Sequence, residues 1–511
     1  RLAQQGYDAD SIPPRGVRVV LRNNANLSTG GTATDVTDDV HPELAAAAVA
    51  AAQTVGLDIC GIDVVCETVQ KPLDEQGGGI VEANAAPGLR MHLQPSFGKG
   101  RPVGEAMVAT LFGEGDDGRI PVVAVAGTNG KGSVCAFLTQ IYSQAGFKTG
   151  TLTSPHILKF NERIAVNGEP VSDEAIVAAF ERIEAARGDI SLTYFEFNTL
   201  AAVEVFIREQ VDVMILEVGL GGRLDAVNVF DADVAVVTSV DLDHQAFLGD
   251  TVEQVAFEKA GVFRAGKPAV CGQNPPPQSL AKHAAEIGAP LFISGEDFAY
   301  SKLENQQWSF HFHPREGLGF AQDFRRNRNA LPIPALRGNY QIQNAACALS
   351  AIECLYAQLP VDLGAIKRGL LLASNPGRFQ VLPGRPLTVL DVGHNPHAAR
   401  ALRQSLMALP FAENRIAVFS MLADKDIDGV LAIVKDQFDS WHIAPLEMPR
   451  GMSADALRKK LHHQGIEQIK EYPHIADAYR AALAGASEND RIIVFGSFHT
   501  VAEVMGLLQQ G

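Results

Sequence analysis

The run Gly127-Thr-Asn-Gly-Lys-Gly-Ser133 has the residue types and spacing that hold a polyphosphate. Its glycines let successive backbone N–H groups turn toward one point, and a helix opening directly behind them adds the positive end of its dipole. In such a loop Lys131 reaches the β- and γ-phosphates and Ser133 offers its hydroxyl to Mg²⁺. Gly127, Thr128, Asn129, Gly130 and Gly132 form the rest of the cradle. The spelling departs from G-x-x-x-x-G-K-[ST], because position 125 is Val and Gly132 separates Lys131 from the hydroxyl residue. Strand, loop, lysine, hydroxyl and helix nevertheless fall in the required order, so nucleotide phosphate binding is expected.

Other groups could work beside that loop. Glu217 closes the apolar run Val213–Leu216, at the carboxyl edge where open α/β sheets place ligands. A carboxylate there suits Mg²⁺, which takes few protein oxygens and keeps water and phosphate. His244 follows the next apolar run and could reach the same edge, although His is an unusual Mg²⁺ ligand and a polar loop histidine is the plainer reading of the residue alone. Lys259 falls in a helical pattern, where a solvated lysine is the plain reading. Gly219-Leu-Gly-Gly222 lacks the G-x-G-x-x-G spacing, since position 224 is Leu, and a dinucleotide site is rejected.

The elements that must position these groups follow from the hydrophobic pattern. Pro121–Ala126 reads as a buried parallel strand, followed by helices near 133–145, 174–187, 198–210 and 252–263 and strands at 212–217 and 233–240. Such alternation implies a parallel sheet covered on both faces. Residues 298–325, rich in aromatic and polar side chains, are expected to form hairpins at a sheet edge. A helix is expected over 340–357. Beyond Pro376-Gly-Arg378 a second, smaller α/β domain is predicted, with strands at Thr388–Val392, Ile416–Ser420 and Ile492–Phe495 and a helix at Ala398–Leu409.

Bulk composition bounds the function. Of 511 residues, 46% are hydrophobic and 20% charged, as in a folded globular chain long enough for about three structural units. With Lys plus Arg at 43 and Asp plus Glu at 59, the net charge is −16, which argues against a general nucleic-acid or anionic-membrane surface. The six cysteines form no C-x-x-C pair, and no apolar run reaches the roughly 18 to 20 residues of a membrane span. A reduced, cytoplasmic setting is expected, as are small-molecule partners and a monomeric state. The chain begins at Arg1 in mid-pattern and reads as a fragment. Its polar, Gly-rich stretch 112–118 reads as a linker.

The loop spelling resembles that of the Mur-ligase superfamily, and within it the chain from about residue 119 onward resembles dihydrofolate synthase/folylpolyglutamate synthase. The supporting segments are Thr153-Ser-Pro-His156, Asn161-Glu-Arg163, Leu216-Glu-Val-Gly-Leu-Gly-Gly-Arg-Leu-Asp225, Asp241-Leu-Asp-His244, Glu258-Lys-Ala-Gly261, Pro376-Gly-Arg378, Asp391-Val-Gly-His-Asn-Pro396 and Gly496-Ser-Phe-His499. The resemblance implies an α/β fold with a central P-loop ATPase domain (119–374) and a smaller Rossmann-like C-terminal domain (375–511). It implies an ATP-dependent ligase that adds L-glutamate to dihydropteroate or folate through an acyl phosphate. Catalytic roles fall on Lys131, Lys259 and His244, with Lys259 carbamylated. Asn344, Arg378, Asp391 and His394 join the loop in binding ATP. Ser133, Ser154, Glu217 and His244 hold Mg²⁺, with a monovalent cation as a further expected ion.

Residues 1–118 resemble something else. Arg22-Asn-Asn-Ala-Asn-Leu-Ser-Thr-Gly-Gly31, Gly61-Ile-Asp63 and Glu82-Ala-Asn-Ala-Ala-Pro-Gly-Leu-Arg-Met-His92 resemble the end of the ATP-grasp domain of cyanophycin synthetase. Asp63, Glu82 and Asn84 match ATP-grasp metal positions. The part of that fold carrying its nucleotide-gripping lysines is absent, so a truncated α+β fragment with vestigial ligands is expected. In cyanophycin synthetase an ATP-grasp domain also leads into a Gly-Thr-Asn-Gly-Lys loop, and the change of family falls between Arg119 and Lys131. Two other readings follow: a cyanophycin-type ligase adding Asp or Arg to a peptide, and a nucleotide-binding hybrid without acceptor activity. The folate family's own segment before the loop contributes to its pterin site and is expected to be missing.

Overall fold

The computed structural model describes the chain except residues 1–2, 9, 18, 20–31, 58, 86, 112–117, 304–305, 322–323 and 511. The segment Arg22–Gly31 and most of the polar stretch 112–118 therefore lie outside the described residues. Arg1–Arg119 and Ile120–Gly511 form two compact units.

In the first unit an Ala-rich helix, Pro42–Val55, starts on a His41 cap with Pro at its first turn and stops at Gly56, whose φ of 75° is one that glycine adopts freely. The strands Gly61–Val65 and Gly79–Asn84 pair antiparallel with Asp63 opposite Glu82. Directly opposed residues share a face of the sheet, as do residues two apart on one strand. Asp63, Glu82 and Asn84 therefore project together, and Asn84 Nδ2 lies 3.5 Å from Asp63 Oδ2.

The second unit is built on two large sheets and one small one. The larger has eight strands in the order Leu291–Ile293, Ala269–Cys271, Val234–Val237, Val122–Ala126, Val213–Glu217, Thr149–Leu152, Ile164–Val166 and Glu169–Pro170. The first six run parallel, and the last two turn back antiparallel. The two central strands are buried along their whole length, which is why they read as unbroken apolar runs. Helices Lys131–Gln144, Gln341–Cys354 and Leu363–Leu372 cover one face. Asp173–Arg187, Tyr194–Arg208, Val252–Ala260 and Gln278–Ile287 cover the other. Gln341–Cys354 is buried almost all round, and its alanines let neighbouring elements approach closely.

The aromatic segment near 300 departs from expectation. Phe298–Leu303, Gln307–Phe312 and Arg326–Pro332 form an antiparallel sheet of their own instead of extending an edge. Trp308, Phe310 and Phe312 face the same core as Gln341–Cys354. Arg326 and Arg328 reach from this small sheet to Glu353 of that helix at 2.8 and 2.9 Å. Packing against a buried helix has replaced edge pairing.

The other large sheet has six strands in the order Gln380–Leu382, Leu387–Asp391, Arg491–Phe495, Arg415–Phe419, Ser440–Ile443 and Ile469–Glu471, parallel except for the first. Hydrophobic cores fill both of its faces. Among the described residues no helix is long and apolar enough to cross a membrane, and all six cysteines are free thiols.

Candidate active site

The predicted phosphate loop leaves the strand Val122–Ala126 and enters the helix Lys131–Gln144. A Cβ on Gly127, at φ 150°, would overlap Thr238 Oγ1, and one on Gly130, at φ 89°, would lie 2.6 Å from Asn344 Oδ1. Only glycine fits either position. The neighbouring strand end braces the loop: Thr128 N–H donates to Ser239 O at 2.8 Å, and Thr238 Oγ1 donates to Asn129 O at 2.6 Å. Lys131 Nζ donates to Gly127 O at 3.1 Å, curling over the cradle.

Glu217 is buried at the end of its strand, as expected, and accepts the Ser154 N–H at 2.9 Å. The sheet order places Thr149–Leu152 beside Val213–Glu217, so the turn after one strand caps the carboxylate of the other. Burial raises the Glu217 carboxyl, and the charges of Lys131, Arg378 and Arg163 only partly offset this. His244 adopts φ 53° at the start of a short helix, and burial lowers its imidazole, which is thereby neutral at pH 7 with a lone pair to give. Lys259 is 4% exposed. Burial, then the charge of Lys131, lowers its ammonium from 10.5 to about 7.

These groups meet in one cavity of ≈ 510 Å³ lined by the loop, Ser154, Glu217, His244 and Lys259 from the larger sheet and by His394, Lys425 and Phe498 from the smaller. A second cavity of ≈ 450 Å³ shares Asn129 and Gly130 with the first and is lined also by Ser133, Asn344, Tyr340 and Asp391. Arg378 lines both, with its guanidinium carbon 4.9 Å from the centre of the Phe498 ring. Asp391 and His394, three residues apart, are divided between the two cavities. Asp391 is buried and accepts the N–H groups of Phe379 and Gly393 at 2.9 and 2.7 Å. His394 donates Nδ1–H to Val392 O at 2.9 Å, and burial lowers its imidazole to about 4.

Sequence reasoning missed the contacts that join the sheets. Lys425 Nζ lies 2.9 Å from Asp243 Oδ1 and 3.4 Å from His244 Nε2. Asn395 Nδ2 donates to Asp243 Oδ2 at 3.0 Å. Asn129 of the loop donates to Asn395 Oδ1 at 3.2 Å and lies 2.7 Å from His397 Nδ1. Arg400 pairs with Asp241. Asp241-Leu-Asp-His244 was visible as a segment, but nothing near Lys425 marks it in the sequence.

The residues present fit a hard divalent cation. A desolvated carboxylate with a single hydrogen-bond donor among the described residues, Ser154 and a neutral imidazole line one cavity, Ser133 lines the neighbouring one, and bound phosphates would complete the shell. Among the described residues no cluster of three His, Cys, Asp or Glu stands ready to hold a metal ion.

Comparison with known proteins shows what the whole of the second unit is similar to. The Mur ligase middle domain matches residues 125–352, and the Mur ligase glutamate ligase domain matches 377–498. The dihydrofolate synthase/folylpolyglutamate synthase of Escherichia coli (strain K12) is 45% identical over 387 residues, covering 76% of this chain and 86% of that protein. The structure of E. coli FolC in complex with DHPP and ADP superimposes with a TM-score of 0.70, at 45% identity, over 76% of this chain and 89% of that one. A bifunctional folylpolyglutamate synthase/dihydrofolate synthase solved with Mn, AMPPNP and L-glutamate gives 0.69 at 42% identity, over 82% and 96%.

Proposed function

The chain belongs to the dihydrofolate synthase/folylpolyglutamate synthase family of Mur ligases, and from that premise we propose how its own residues divide the work. It is an ATP-dependent ligase that adds L-glutamate to dihydropteroate or folate. The observation that carries the reading is the convergence of Lys131, Glu217, His244 and Lys259 with His394 and Lys425 in one cavity beside the phosphate loop.

A carboxylate is a poor acyl donor, so the γ-phosphoryl group of ATP first passes to it and an acyl phosphate forms. The amine of glutamate then attacks the acyl carbon, and inorganic phosphate leaves. Gly127–Ser133 cradle the phosphates and Lys131 offsets charge on the group in transfer. Asn344 and Asp391 line the nucleotide cavity, and Arg378 reaches both cavities. Ser133, Ser154, Glu217 and His244 would hold Mg²⁺, which when bound neutralises phosphate charge. His394 is neutral at working pH and faces the acyl side.

Lys259 has a second role in this reading. An amine held at about 7 is substantially unprotonated at neutral pH. It can add CO₂, forming an N–C bond and releasing a proton, which turns a buried cation into a carbamate anion beside the phosphate site. The lowered ammonium supports carbamylation.

The first unit is read as a vestigial ATP-grasp end, supported by the shared face of Asp63, Glu82 and Asn84. A cytoplasmic setting fits the six free thiols. Neither a peptide-polymer ligase nor an acceptor-less nucleotide binder is favoured by the family match. The direct test is phosphate release from ATP with Mg²⁺ and L-glutamate, with and without dihydropteroate. Release should require both substrates and vanish in Lys131→Ala; release indifferent to dihydropteroate would overturn the substrate assignment.

A further inference from the structure

Arg163 closes the short turn Phe160–Arg163, is 8% exposed and lines the reaction cavity. Its Nε donates to His156 Nδ1 at 2.8 Å. The guanidinium carbon lies 5.3 Å from the Tyr194 ring centre and 5.9 Å from that of Phe160. Among the described residues no carboxylate is within ion-pair distance of it, and its two terminal nitrogens have no hydrogen-bond acceptor. The adjacent Glu162 is committed elsewhere, accepting the N–H groups of Ile157, Leu158 and Lys159 at 2.6 to 2.8 Å.

Glu217 and Glu162 act on this cation only from beyond ion-pair distance, and a buried guanidinium with no directly paired carboxylate leaves room for one from a ligand. The phosphates already have the loop and Lys131. The free edge of a guanidinium is a planar pair of donors, which matches the two oxygens of a carboxylate. The rings beside it give that carboxylate an aromatic setting. Phe160 packs against Tyr194, Phe180 and His156 with centroids 5.9 to 6.3 Å apart. An aryl carboxylate can place its ring against such a group and its charge on the guanidinium. Lys425 and Arg450, by contrast, reach the cavity from the smaller sheet.

We propose that Arg163, oriented by His156, binds the carboxylate of the acyl substrate and holds it beside the phosphate loop, with Tyr194 and Phe160 flanking the attached ring. The proposal rests on the reading of the reaction given above. His156 is a positioning residue: its Nδ1 fixes the guanidinium so that the terminal nitrogens face the cavity.

The test is calorimetric binding of dihydropteroate and of its methyl ester, in the presence of ADP and Mg²⁺, to the wild type, Arg163→Gln and Arg163→Lys. A charge-assisted contact predicts that the wild type prefers the acid over the ester by about 10- to 100-fold. Arg163→Gln should remove that preference while leaving ester and ADP affinities within about 2-fold, and Arg163→Lys should keep part of it. His156→Asn, which retains an acceptor, should behave as wild type, and His156→Leu should follow Arg163→Gln in its KM for dihydropteroate alone. An acid-to-ester ratio unchanged by Arg163→Gln, or a rise in the KM for L-glutamate instead, would overturn the proposal and leave the folate reading standing. A wild type that binds ADP but neither pterin ligand would overturn both.

Discussion

Lys425 Nζ, carried by the smaller six-stranded domain, stands 2.9 Å from Asp243 Oδ1 at the lip of the larger sheet, and the two side chains are 10% and 11% exposed. Asp243 also accepts Asn395 Nδ2–H, so one carboxylate collects two donors from across the cleft. Burial alone would raise its carboxyl, but the charge and hydrogen bond of Lys425 outweigh this and hold it well below the usual range. The pair sits beside His244, so the contact that joins the two sheets also forms part of the wall of the cavity.

Breaking that pair should therefore act on turnover more than on nucleotide binding. Lys425→Ala and Asp243→Asn are each expected to lower kcat by about 10- to 100-fold, with ADP affinity within about 3-fold, because truncating one partner of a buried pair leaves the other uncompensated. Steady-state kinetics and ADP calorimetry decide this, and equal losses in both would sink it.

The same pair predicts a pH dependence of stability. Because the folded Asp243 carboxyl is depressed, its contribution is fully present above the unfolded value of about 3.9 and is lost as pH falls below it. The difference in Tm between wild type and Asp243→Asn should be flat from pH 5 to 8 and shrink below about pH 4. Scanning calorimetry across that range is the check; a difference that widens on acidification contradicts the assignment.

Carbamylation of Lys259 should be visible directly. With the amine at about 7, the reactive neutral form grows as pH rises through neutrality. Protein equilibrated with ¹³C-bicarbonate at pH 8 should show a carbamate carbon resonance that weakens at pH 6 and is absent in Lys259→Ala. Rigorous removal of CO₂ should lower activity reversibly. Activity indifferent to CO₂, with no resonance, leaves Lys259 an amine.

The loop should tolerate no side chain at two places. Gly130→Ala would press a methyl group onto Asn344 Oδ1 at a φ costing about 1–2 kcal/mol, and Gly127→Ala would collide with Thr238. Both should weaken ADP binding by at least about 10-fold. Asn344→Gly added to Gly130→Ala should relieve the overlap but not the φ cost, and should not recover nucleotide affinity.

Within the first unit, Asp63→Asn and Glu82→Gln are expected to change Mg²⁺-dependent phosphate release by less than 2-fold, since the phosphate loop and the residues proposed to hold Mg²⁺ lie in the second unit. A large loss would show that those carboxylates hold a working metal.

Much of the site was legible because its signals are local. The loop is contiguous, Glu217 and Ser154 follow apolar strands, and the predicted helices differ from the observed ones by a few residues at their ends. What was not legible depends on partners distant in the chain. Lys425 meets Asp243 only because two sheets fold against each other, and no spacing records that. Asp391 and His394 line different cavities, although a three-residue interval alone suggests a shared site. The aromatic strands near 300 carry the same alternation whether they extend a sheet or stand on a helix, so their periodicity does not distinguish the two.

Arg378, resting on Phe498, is a wall common to two rooms. A compound built to span both, joining a nucleotide mimic to an acyl mimic, would cross a boundary formed by Arg378 together with Asn129 and Gly130, and the guanidinium is the charged part of it. A flat or anionic bridge would be held there and a bulky aliphatic one turned away. The dividing residue thus sets the chemistry of any inhibitor built to fill both halves at once.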